Sequence, residues 1–102
     1  MPKSKLEQQI AEMSDLEELD RIGYRYANGG NAPIALRAWM RAEELGCTKY
    51  RKNITGKLFS ADVQGTLRKK AVAMVKQWLK EGDEGIKETL DLMMSIYGWK
   101  KQ

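Results

Sequence analysis

Residues 23–33 read GYRYANGGNAP, and the fold turns on how this stretch is understood. Glycine-rich runs cradle phosphates in nucleotide enzymes, but they also turn one helix back onto another. A phosphate loop needs the pattern G-x-x-x-x-G-K-[ST] after a strand, whereas this stretch has no lysine and follows a segment of helical spacing. Under the hairpin reading every position has a physical reason. Leu16, Leu19, Ile22, Gly23 and Tyr26 share one helix face, and Gly29 or Gly30 takes the left-handed conformation that ends the helix. Pro33 suits the first turn of the next helix, where its missing amide would have no partner. Ile34, Ala35, Ala38, Ala42 and Leu45 then form a buried stripe, and Gly46 stops it.

Working outward, Leu6, Ile10 and Met13 step by four and then three, which predicts a short N-terminal helix. Ser14-Asp-Leu-Glu17 fits a capping box and marks Ser14 as the cap of the second helix. Residues 47–60 show no clear period and read as a basic loop. Ser60 is the expected cap of a longer helix carrying Val63, Leu67, Ala71, Met74, Val75, Trp78 and Leu79. Gly65 falls inside that helix, at a cost of about 1 kcal/mol relative to alanine. Gly82 ends it, Asp83 caps the last helix, where Ile86, Leu90, Met93 and Tyr97 align, and Gly98 stops that one. Strand-like alternation is absent. The expectation is an all-α single domain over residues 1–102, with about five helices: a short first helix and two antiparallel hairpins, 16–46 and 60–98. Sliding the chain by 52 residues pairs Gly30 with Gly82, Ile34 with Ile86 and Tyr26 with Trp78, but also Gly23 with Val75 and Trp39 with Asp91. Two hairpins of similar geometry explain this better than a tandem array.

Residues 19–46 resemble a single tetratricopeptide repeat, and more closely its Sel-like variant. The resembling residues are Leu19, Ile22, Gly23 and Tyr26 on the first helix, Ala35, Trp39 and Ala42 on the second, Gly29 at the turn and Gly46 at the exit. The family places a proline just after the second helix, where this chain has Cys47. The match covers roughly a quarter of the chain. It implies a helix-hairpin scaffold for protein–protein contact and no catalysis.

The chain contains no histidine and one cysteine. That removes the commonest general base, the usual triads and most zinc sites together. Cys47 has no histidine to activate it and reads as a packed residue at a helix exit. Glu43 with Glu44, and Glu84 with Glu88, are candidate carboxylate pairs whose ordinary reading is a solvated helix face. No cofactor and no metal is expected, and the chain is read as a non-enzyme. No apolar run approaches the roughly 20 residues that span a bilayer. The first residues lack the apolar stretch of a secretory signal. A cytoplasmic protein with no membrane contact is therefore expected.

The net charge of +4 permits an acidic partner without demanding one. Lys49, Tyr50, Arg51, Lys52 and Lys57, supported by Arg68 and Lys69, form the candidate nucleic-acid surface, with Tyr50 placed to stack a base. Solvation and docking to an acidic protein are the competing uses of that stretch. Trp39 and Trp78 read as core. Tyr24, Met94, Trp99 and Lys100 form the candidate partner surface, since Tyr24 leaves the Ile22–Tyr26 face and Trp99 lies beyond the last stop. Met94 and Ile96 lie off the Ile86–Tyr97 stripe, which makes the last helix apolar on two sides. Two functions follow. One is a non-catalytic module that binds another protein as adaptor, accessory subunit or inhibitor, a role that also suits a small phage- or mobile-element-encoded protein. The other is a small basic nucleic-acid-binding protein.

Overall fold

The computed structural model describes residues 4–97, so the expectations for Gly98, Trp99 and Lys100 lie outside the described residues. These form six helices and no strand: α1 (Lys5–Glu12), α2 (Leu16–Asn28), α3 (Ala32–Glu44), α4 (Arg51–Lys57), α5 (Gly65–Lys80) and α6 (Glu84–Tyr97). The all-α expectation holds. The helix number rises from five to six because the expected basic loop contains α4. The chain divides between Tyr50 and Arg51 into two units.

In the first unit α2 packs against α3, and α1 packs on α3. Ser4 caps α1 by accepting from the Glu7 amide at 3.1 Å, and the helix buries Ile10. The cap of α2 is Asp15, one residue later than expected for Ser14. Its carboxylate accepts from both Glu17 N and Glu18 N, at 3.0 and 3.2 Å. A carboxylate at the positive end of a helix dipole gains more there than a hydroxyl. Gly30, at φ +81°, is the left-handed residue of the turn, and Asn31 caps α3 by accepting from Ile34 N at 3.2 Å. Helix α3 is buried more widely than one stripe: Leu36 and Met40 join Ile34, Ala35, Ala38, Trp39 and Ala42, while Leu45 is exposed.

At Gly23 the two helices leave no room for a side chain. A Cβ there would sit 2.2 Å from Trp39 Nε1, so only glycine lets the indole lie against α2.

In the second unit α4, α5 and α6 pack pairwise. Helix α4 was hidden in the sequence because three of its seven residues are cations and its buried side chains, Ile54 and Thr55, are adjacent and show no period. Val63 is buried but precedes α5, and Ser60 bonds to Asp62 instead of capping. Gly65 is the first residue of α5, at φ +63°, a start position and not an interior defect. Asp83 caps α6 by accepting from Ile86 N at 3.2 Å.

The two hairpin turns are built alike. Asn31 N donates to Tyr26 O at 2.8 Å, and Asp83 N donates to Trp78 O at 3.0 Å. Each turn closes on a left-handed glycine, Gly30 or Gly82, followed by a side-chain cap reaching the amide three residues on. This is the physical content of the 52-residue offset. It resides mainly in turn chemistry, with the buried pair Ile34 and Ile86 beside each turn.

Candidate interaction surfaces

The basic stretch is largely committed to internal contacts. The Tyr50 ring is 2% exposed, stacked on Trp39 with centroids 6.3 Å apart and planes at 15°. It is core, not a platform for a base. Its hydroxyl donates to Asp20, and burial, followed by that bond, pushes the hydroxyl well above the usual tyrosine value. Lys49 pairs with Asp20 at 3.6 Å and lies over the Tyr50 ring. Arg51 pairs with Asp83 at 3.2 Å and sits 4.9 Å above the Trp78 ring. Arg68 donates to the Leu58 carbonyl. Lys52 and Lys69 are exposed, and Lys57 is half-buried. Of the expected cations, α4 brings Arg51, Lys52 and Lys57 onto one short helix, and α5 carries Arg68 and Lys69.

Tyr24 is 43% exposed, yet its ring meets Trp39 edge-on at 5.6 Å and Tyr50 at 6.3 Å. It closes an aromatic cluster as well as facing solvent. Beside that cluster a cleft of about 490 Å³ is lined by Leu16, Glu17, Asp20, Arg21, Cys47, Lys49 and Tyr50. Its two carboxylates face two cations, so its charge is internally balanced and selects no charged ligand. Glu44 pairs with Arg41 at 3.1 Å, and Glu84 and Glu88 are exposed. Among the described residues, no group of three or more Cys, Asp or Glu is placed to hold a metal ion, and no helix is long and apolar enough to cross a membrane.

Met94 does take part in a surface feature. It lies in a groove of the second unit with Leu58 and Phe59 after α4, Val72, Val75 and Leu79 on α5, and Leu90 on α6. Arg68 and Lys76 stand at its rim. Phe59, Val72, Leu79, Leu90 and Met94 are each only half-buried, so the groove opens to solvent. Its volume is about 260 Å³. A shallower hollow along α5 shares Arg68, Val72 and Lys76 with it and adds Gly65, Lys69 and Ala73. The sequence carried only part of this lining: Val75 and Leu79 belong to the expected stripe of the long helix, and Val72, three residues before Val75, stands outside it. On the other side of α6, Leu92 and Ile96 are 60% and 64% exposed; Ile96 lies off the buried stripe as expected, whereas Met94 joins Leu90 in the groove and Leu92 takes its place.

No family model, curated protein or solved structure matches this chain.

Proposed function

We propose that this chain is a non-catalytic helical module that binds another protein, with the groove of α5 and α6 as its binding surface. The observation that carries this is the open apolar lining of Phe59, Val72, Leu79, Leu90 and Met94. Apolar side chains left half-exposed around a concave site mark a contact surface more than a catalytic one. The absence of histidine removes the commonest proton-transfer group from any competing enzymatic reading. An adaptor, an accessory subunit or an inhibitor of a larger machine all use such a surface.

The test compares the intact chain with Val72→Asp, each tagged and recovered from the native cell with nuclease present. Val72 is a half-buried residue of the lining, so the charge changes the groove without entering the core, and circular dichroism verifies the helices. A stoichiometric partner retained by the natural chain and lost by the variant is expected. Equal retention by both would remove the groove from consideration. The rival reading, nucleic-acid contact through Lys52, Lys57 and Lys69, predicts a shift of DNA or RNA at low salt that weakens steeply as salt rises.

A further inference from the structure

We infer that the groove's occupant is an acidic amphipathic helix of the partner protein, an inference that rests on the groove being the binding surface. Lining comes first. The groove is apolar apart from Arg68 and Lys76, and such a lining suits side-chain anchors delivered by a helix. Charge supplies the rest. No carboxylate lines the groove or the hollow that adjoins it. Lys69, Lys76 and Lys80 follow one another at i, i+7 and i+11 on α5 and are all exposed, forming a row about 16 Å long at the helical rise. Among the described residues none of the three is in an ion pair. The α6 edge is different: Lys87 and Asp91, each three residues from a lining residue, carry opposite charges.

The field across the groove is therefore one-sided. A helix laid over it with apolar anchors at i, i+4 and i+7 would place the residues on its α5 flank beside the lysine row. Glu or Asp there is attracted, and Lys or Arg is repelled. A nucleic acid would use the lysines but leave the apolar floor empty. Within the described part of this chain, α6 itself shows Leu92 and Ile96 exposed beside Glu88 and Asp91, so self-association is a separate outcome to be measured.

The experiment titrates the full chain, labelled for amide NMR, with four probes. These are a short helical peptide with three leucine anchors and a glutamate flank, its twin with a lysine flank, a single-stranded DNA oligomer, and vesicles of anionic lipid. The glutamate-flanked peptide is expected to bind at least about tenfold more tightly than its twin and to move the signals of Val72, Leu79 and Met94. Combined Lys69→Glu, Lys76→Glu and Lys80→Glu, all on the surface, should invert the preference. Equal binding of the two peptides, binding of DNA or vesicles in their place, or self-association that moves the same signals overturns the inference. If Val72→Asp loses the native partner while neither peptide binds, the groove stands and its acidic occupant falls. If the variant keeps the partner, both fall.

Discussion

Gly23 and Gly56 are both helical glycines, and physical chemistry gives them opposite signs. An alanine Cβ at Gly23 would meet the Trp39 indole at 2.2 Å, whereas at Gly56 nothing lies within 4 Å. Gly23→Ala should therefore lower stability by about 1–3 kcal/mol through overpacking, in spite of its better helix propensity. Gly56→Ala should raise it by about 0.5–1 kcal/mol. Urea midpoints of the two variants decide this, and a stabilised Gly23→Ala would mean that the indole is free to move. Tyr50 supplies a pH prediction. Burial and the Asp20 bond raise the folded value of its hydroxyl above the unfolded one. The folded chain then holds the proton more tightly, so the contribution is fully present below about pH 10 and is lost as pH rises beyond it. Tyr50→Phe should cost about 1–2 kcal/mol near neutrality, and the gap between variant and natural chain should narrow above about pH 10. A gap that stays constant on alkaline titration counts against the shift.

At the scale of elements, the two caps are the sensitive points. Asn31→Ala should destabilise by about 0.5–2 kcal/mol through loss of one amide partner. Asp83→Ala should cost more, because the same carboxylate also pairs with Arg51 across a half-buried contact. Asp83→Asn separates the two roles by keeping the cap and removing the charge, and thermal midpoints of the three variants rank them. How legible the elements were in the sequence follows from the same chemistry. Gly30, Gly82 and Asp83 were readable because turn residues act locally, over three or four positions. The Ser14 cap was off by one because Ser and Asp stood side by side, and the helix dipole favours the charged neighbour. Helix α4 was not readable: seven residues give little periodic signal, and three of them are cations, with Lys49 just before. Tyr50 read as a surface aromatic because its partners Trp39 and Asp20 are far away in sequence.

For the molecule as a whole, charge is distributed unevenly. Lys and Arg outnumber Asp and Glu from Arg51 onward, whereas acids are in slight excess before it. That asymmetry was visible in the sequence, but the groove was not, since it needs Leu58, Val72, Leu79, Leu90 and Met94 brought together from separate helices. A partner held partly by the lysine row should dissociate more readily as salt rises, because exposed charges are screened over about 10 Å at 0.1 M salt. The apolar contacts should survive, so affinity should fall to a plateau and not to zero. Affinity measured at increasing sodium chloride reads this directly, and a salt-independent complex would leave the lysines no part in it.

The paired turns also make the chain a source of exchangeable parts. Gly29-Gly30-Asn31 and Glu81-Gly82-Asp83 occupy equivalent places, so the second tripeptide grafted into the first hairpin offers the same turn bonds, with its first Cβ lying 3.3 Å from the Arg25 carbonyl. The reverse graft keeps the turn but takes the carboxylate from Arg51. Interchangeability thus runs in one direction only, and the direction is set by a single oxygen that Asn31 does not need and Asp83 does.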